Sequence, residues 1–195
     1  KIVFAQKTSQ RTLSEVIAGA DVFLGLSAGG VLKKDMVAKM AAKPLIFALA
    51  NPNPEIAPED VKAVRDDAIM ATGRTDYPNQ VNNVLCFPYI FRGALDAGAS
   101  TITDEMEIAA VHAIAELAQA EQSEVVARAY AGEQLSFGPE YLIPKPFDPR
   151  LMMRIAPAVA EAAAASGVAQ RPIQDLDAYR DKLQTFVYAS GTTMK

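Results

Sequence analysis

The sequence has few of the features expected of a secreted, membrane-bound or nucleic-acid-binding protein. Its single cysteine, Cys86, excludes an internal disulfide bond and is typical of a protein in the reducing cytoplasm. No apolar run approaches the roughly 18 residues that a membrane-spanning helix requires, and no secretory signal pattern occurs. The 19 Lys and Arg residues are scattered among 23 Asp and Glu residues, so the sequence contains no basic patch for nucleic acid. We therefore expect a cytoplasmic protein that binds neither membrane nor nucleic acid.

The length and the first residues bear on how much of a protein this chain is. With 195 residues, 50% of them hydrophobic, it is long enough for one domain, with or without a helical appendage. It has no initiator methionine, and Lys1-Ile2-Val3-Phe4 begins without cap or turn residues. The sequence is therefore interpreted as a piece of a longer chain.

Three short apolar runs alternate with helical patterns in the first part of the chain. Thr12 and Glu15 form a capping-box pair at the start of the first helix, and Pro58 suits the first turn of the third. The alternation predicts parallel βαβ units in an α/β fold with a partial doubly wound sheet, whose apolar strands are covered by helices on both faces. The predicted strands are 21–26, 44–50 and 68–72, and the predicted helices are 12–19, 32–40 and one from 58.

The remaining sequence predicts helices rather than strands. Thr103 is a candidate cap for an Ala-rich helix, and Pro88 lies inside a mostly apolar one. A segment rich in Gly and Pro, 132–150, is interpreted as a loop over a surface. The predicted helices are 84–97, 104–120, 151–166 and 177–189.

Polar and small residues follow each predicted strand, at 27–30, 51–53 and 73–76. In parallel sheets ligands bind beyond the carboxyl ends of the strands, and these three segments are expected to meet at one edge. The small residues of 27–30 let a ligand approach the backbone closely. Asn51 directly follows a strand, and its amide suits either a turn cap or a ligand; the pattern alone favours the cap.

Two adjacent asparagines precede the apolar helix 84–97. One asparagine at a helix start is normally a cap, and Asn82 with Asn83 exceeds what one cap requires, so a polar ligand is a second interpretation. The free N–H groups of a helix start also attract a carboxylate or phosphate. Other polar residues are interpreted as structural or solvated: the lone His112 and Cys86, and the acids Asp66, Asp67, Glu105 and Glu107. No glycine fingerprint of a complete dinucleotide site occurs.

Three stretches of the sequence, 19–27, 46–52 and 72–88, resemble the malic enzyme family. The most specific is Thr72-Gly73-Arg74-Thr75-Asp76-Tyr77-Pro78-Asn79-Gln80-Val81-Asn82-Asn83-Val84-Leu85-Cys86-Phe87-Pro88. The segment 143–150 also resembles bacterial members. The resemblance covers nearly the whole chain and is strongest to the bacterial type that often continues into a phosphotransacetylase-like domain.

The resemblance implies oxidative decarboxylation of L-malate to pyruvate and CO2, with NAD or NADP and Mg or Mn. NADP is favoured over NAD, and family members are usually homo-oligomers, dimers or larger. The family's catalytic Tyr and Lys, metal-binding acids and dinucleotide glycine motif are expected upstream of residue 1. We therefore assign no catalytic or metal residue in this chain and expect the chain alone to be inactive.

Some site residues carry over from the family to this sequence. Residues 1–100 are expected to form the second half of a Rossmann-like NAD(P)-binding domain, and 101–195 a helical C-terminal extension packing on it. The expected substrate-binding residues are Asn51, Asn82 and Asn83. The expected cofactor-binding residues are Ser27, Ala28, Gly29, Asn51 and Asn82. Two alternatives stay open: a non-catalytic Rossmann-like regulatory module, and another amino-acid or hydroxy-acid dehydrogenase.

Overall fold

A computed structural model of the protein describes residues 2–121 and 136–191. The chain divides into two compact units, Lys1–Val81 and Asn82–Lys195. The predicted boundary between the nucleotide-binding domain and its helical extension, after residue 100, stays a proposal. No helix within the described residues is long and apolar enough to cross a membrane.

The first unit contains a three-stranded parallel sheet, which confirms the predicted α/β arrangement. Its strands are β1 (Val22–Gly25), β2 (Leu45–Ala48) and β3 (Ile69–Thr72), in the order β1-β2-β3. Within the sheet, Gly25 pairs with Ala48 and Ala48 with Thr72, so the three strands end in line.

A short helix precedes each strand, and the first two are shorter than the predicted 12–19 and 32–40. The three helices are α1 (Leu13–Val16), α2 (Lys34–Val37) and α3 (Pro58–Lys62), and a single 3₁₀ turn covers Ile2–Phe4. The predicted capping box of α1 is present, with the Glu15 carboxylate accepting from the Thr12 N–H at 2.8 Å. Pro58 lies in the first turn of α3, where its missing N–H costs nothing.

The core of the first unit covers only one face of β1. Phe23 is 8% exposed and packs with residues of α2 and α3, whereas Val22 and Leu24 on the opposite face are 52% and 60% exposed. The prediction that helices cover both faces is therefore wrong for β1 within the described residues, because α2 and α3 pack on the same side. The core of this unit comprises Ile17, Phe23, Leu32, Val37, Met40, Ile46, Ala48, Ile56 and Val61.

The second unit is helical, as predicted. The 3₁₀ turn Asn83–Leu85 precedes α4 (Phe87–Asp96), and α5 (Asp104–Gln119), α6 (Arg150–Ala165) and α7 (Leu176–Gly191) follow. The predicted helix 84–97 is thus divided, and Cys86 separates the turn from α4. The larger side chains of its core are Leu85, Met106, Leu117, Leu151, Ile155, Val159, Tyr179 and Leu183.

Gly93 allows α4 and α6 to approach each other closely. A Cβ atom at this position would overlap the carbonyl oxygen of Ala156 and lie 2.9 Å from the Cβ of Val159. Both distances are shorter than van der Waals contact, so only glycine fits without a shift of the helices.

The segment 136–149 contains no helix, but it is more than a surface loop. Tyr141 and Asp148 are buried, at 6% and 1% exposure. The Asp148 carboxylate accepts from the Arg150 guanidinium at 2.7 and 3.0 Å, and Arg150 donates to the Glu121 carbonyl at 2.7 Å. The segment is therefore partly buried and holds Arg150 through Asp148, which corrects the prediction of a loop over a surface. Residues 132–135 of the predicted loop lie outside the described residues.

Candidate functional site

The carboxyl edge of the sheet carries the polar segments that the sequence analysis selected. Because Gly25, Ala48 and Thr72 are aligned, the three following loops leave the sheet at the same edge. This confirms that the loops converge, and it is the position at which parallel sheets bind ligands.

The loop after β1 is exposed and its backbone is held from one side. Ser27, Ala28 and Gly29 are all exposed to solvent. The Ser27 N–H donates to the Glu55 carboxylate at 2.9 Å, and a Cβ atom on Gly29 would lie 2.9 Å from the Cβ of Asn53. The loop after β1 therefore lies directly against the loop after β2, with its outer surface open.

Asn51 lies in the loop after β2 with an available amide. Its side chain is exposed and forms no hydrogen bond to another described residue. The turn cap that the pattern favoured is therefore absent in the described part of the chain. The amide can donate and accept, so it offers a neutral contact for a carboxylate or a carboxamide.

Asn82 and Asn83 begin the second unit and differ in their contacts. The Asn82 Oδ1 accepts from the Val84 N–H at 3.0 Å and caps the 3₁₀ turn, which is the simpler of the two predicted roles. Asn83 is exposed and forms no side-chain hydrogen bond within residues 2–121 and 136–191. The ligand-binding roles of both residues stay predictions.

A cavity of about 400 Å³ lies beside the loops of the first unit. On its lining, Lys34 pairs with Asp60 at 2.8 Å, and the Arg74 guanidinium lies 5.1 Å from the Tyr77 ring centroid. The Tyr77 hydroxyl donates to Glu59 at 2.6 Å, which raises the pKa of Tyr77 and lowers the pKa of Glu59. The cavity lining therefore carries charged groups of both signs, two of which, Lys34 and Asp60, are paired with each other.

Two polar groups of the first unit were not recognised in the sequence. Glu55 is fully buried and accepts backbone hydrogen bonds from the loop after β1 and from its own loop after β2. Asp67 was interpreted as a solvated helix charge, which is wrong: it pairs with Arg65 at 2.7 Å and accepts from the Lys43 N–H at 2.7 Å. Both acids lie close to other acids along the chain, so the sequence carries no signal that separates them.

The structure offers no metal centre among the residues it describes. No three His, Cys, Asp or Glu side chains come together within residues 2–121 and 136–191. Glu105 and Glu107 are exposed in the first turn of α5, as predicted, and His112 is exposed on the same helix. Cys86 is half-buried, and its burial, with a smaller effect of Glu107, raises the pKa of the thiol.

Parallel strands joined by helices, with open loops at the carboxyl edge, define an α/β fold of the Rossmann-like nucleotide-binding type. Residues 2–130 match the family model described as malic enzyme, NAD binding domain. The chain is 67% identical to the NAD-dependent malic enzyme of Rhizobium meliloti over 195 residues, and this alignment covers 100% of this chain and 25% of the relative. It is 68% identical over 188 residues to the NADP-dependent malic enzyme of Salmonella typhimurium, covering 96% of this chain and 25% of the relative.

A solved structure shares the fold as well as the sequence. The malic enzyme of Pyrococcus horikoshii superposes with a TM-score of 0.76 at 39% identity, covering 93% of this chain and 38% of that one. The chain therefore belongs to the malic enzyme NAD-binding domain family. It spans about a quarter of the length of the curated relatives named above.

Proposed function

We propose that the full-length protein oxidises L-malate and decarboxylates it to pyruvate and CO2, with reduction of a nicotinamide nucleotide. The observation that carries the proposal is the family match over residues 2–130 together with relatives at 67% and 68% identity that are named malic enzymes. This chain contributes the second half of the nucleotide-binding domain and its helical extension.

The residues at the carboxyl edge suit the binding part of this reaction. Ser27, Ala28 and Gly29 have exposed backbone that a nucleotide can approach, and Asn51 offers a free amide at the end of β2. A neutral amide binds both a malate carboxylate and a nicotinamide carboxamide without adding a charge that opposes hydride transfer. Asn82 and Asn83 are proposed to supply further amides to the same ligands.

NADP is the proposed nucleotide, although relatives named for NAD and for NADP match at nearly equal identity. The proposed metal is Mg or Mn, which would polarise the keto oxygen of the substrate. The described residues do not fit a metal site. We therefore place the metal ligands and the catalytic Tyr and Lys in the rest of the full-length protein. We also propose that this protein is a cytoplasmic homo-oligomer.

Kinetic assays of the full-length protein and of the 195-residue chain test the proposal. Reduced nicotinamide nucleotide should accumulate only when malate, Mg or Mn, and NADP or NAD are present with the full-length protein, and pyruvate should form in equal amount. The chain alone should show no turnover, because its described residues provide no metal site. Nucleotide binding without turnover by the full-length protein would favour the regulatory module, and turnover by the chain alone would contradict the placement of the catalytic groups.

A further inference from the structure

The buried carboxylate of Glu55 connects the ends of two neighbouring strands. Its side chain has 0% exposure, although it lies in the loop that leads from Asn51 to α3. Oε1 accepts from the Ser27 N–H at 2.9 Å, and Oε2 accepts from the Ala50 N–H at 3.0 Å. Ser27 and Ala50 are each the second residue after their strand, so one side chain holds equivalent points of both loops.

The glycine at the end of β1 provides the space for this carboxylate. A Cβ atom on Gly25 would overlap the Glu55 carboxyl carbon and would lie 2.6 and 2.7 Å from its two oxygens. Such distances are too short for any side chain at position 25, so the Glu55 carboxylate fills the space that this side chain would need. The carboxylate is therefore fixed in place by packing as well as by its hydrogen bonds.

Backbone hydrogen bonds strengthen the same contact. The Leu32 N–H donates to the Glu55 carbonyl at 3.0 Å, and the Gly30 N–H donates to the Pro54 carbonyl at 3.1 Å. The loop after β1 is thus held at its start by the Glu55 side chain and at its end by the main chain of the next loop. Without the side chain, the Ser27 N–H would lose its bond to the neighbouring loop, and the exposed part at Ser27, Ala28 and Gly29 would depend on the sheet and on these main-chain bonds alone.

We propose that Glu55 is a positioning residue for nucleotide and substrate binding. It touches neither ligand itself; it sets the distance between the Ser27–Gly29 backbone and the Asn51 amide by bonding the residues beside them. This inference rests on the proposed function, because it takes those two segments to be the binding groups. Small misplacements of binding groups slow a reaction. Loss of the two Glu55 hydrogen bonds should therefore lower kcat/KM even where the protein stays folded.

The substitution Glu55→Gln tests this in the full-length protein. The amide nitrogen cannot accept a hydrogen bond, so one of the two backbone N–H groups is left facing a donor. We expect kcat/KM for malate to fall about 10-fold or more, with a raised KM for the nucleotide. Amide exchange at Ser27 and Ala50 should also accelerate.

The matched control is Asp67→Asn in the same unit. Asp67 also accepts from a backbone N–H, that of Lys43 at 2.7 Å, but it lies before β3, at the amino edge of the sheet. This variant should lose stability like Glu55→Gln while keeping wild-type kinetic constants. If both variants show the same kinetic constants, Glu55 has only a structural role and the inference is overturned.

A second variant changes Gly25, the residue packed against the Glu55 carboxylate, and replaces Glu55→Gln in the test if that protein does not fold. Gly25→Ala keeps the carboxylate in the chain but displaces it, so the same kinetic loss is expected. Combining the two changes should cost little more than the worse single change, because both break one contact; fully additive losses would refute the pairing. An inactive wild-type protein would refute the proposed function instead, and amide exchange at Ser27 and Ala50 would still decide whether Glu55 holds both loops.

Discussion

Replacing Asn51 by alanine tests ligand binding at the carboxyl edge without disturbing the fold. The side chain is exposed and unbonded within the described residues, so its removal takes nothing from the fold. Exposed substitutions of this kind change the free energy of unfolding by about 0.5 kcal/mol or less. Any larger effect must come from a ligand.

The expected kinetic effect follows from the bond that the amide would form. A hydrogen bond to a charged group contributes about 1.5–3 kcal/mol, which corresponds to roughly a 10- to 150-fold loss in kcat/KM for malate. Steady-state assays on the full-length protein, with malate and the nucleotide varied separately, would measure this loss. Thermal unfolding of the same preparation would show whether stability is unchanged.

The control for this prediction lies two residues further along the same loop. Asn53 is also an exposed asparagine, and truncation to alanine keeps the Cβ atom that contacts Gly29. Asn53→Ala should therefore leave kcat/KM within about twofold of wild type. A loss of equal size in both variants, or no loss in Asn51→Ala, would refute the assignment of Asn51.

Three further predictions concern the second unit. Asn82→Asp keeps the oxygen that caps the turn and Asn82→Ala removes it, so only the Ala variant should lose about 1 kcal/mol of stability. Both variants should lower kcat/KM. Equal stability of the two variants would contradict the cap. Gly93→Ala should lower the free energy of unfolding, measured in urea, by about 1–2 kcal/mol, because overlap with Ala156 outweighs the ~0.5–1 kcal/mol that alanine gains in a helix. Gly138→Ala, whose Cβ would meet only ordinary contacts, should leave that free energy unchanged. Since burial raises the pKa of Cys86, its thiolate fraction at pH 8 is reduced, and alkylation should be slower than in the urea-unfolded chain and should accelerate as the pH rises; equal rates at pH 8 would contradict this.

The sheet and the convergence of its loops at one edge were predictable because their signals are local. Each strand is an apolar run followed by small or polar residues, and parallel pairing then requires the loops after Gly25, Ala48 and Thr72 to share an edge. The cap of α5 is equally local, and the Thr103 side chain accepts from the Met106 N–H as the pattern indicated.

The coverage of β1 was not predictable because it depends on other elements. A continuous apolar run indicates two buried faces, yet Val22 and Leu24 are more than half exposed. The run itself does not show on which side α2 and α3 pack. For the same reason Glu55, which stands near Glu59 and Asp60 in the sequence, could not be distinguished from an acid at a helix start.

The amide-rich segment 79–83 shows how burial separates side chains that the sequence presents as equivalent. Asn79 is 5% exposed and donates to the Met70 carbonyl at 2.8 Å, so its amide is committed to the sheet of the first unit. Asn82 uses its oxygen for the turn, whereas its nitrogen donates to no described residue. Asn83 is exposed with its whole amide free of described partners. The number of amide atoms left without a described partner therefore increases from Asn79 to Asn83, because only the fold decides which of these amides are already paired.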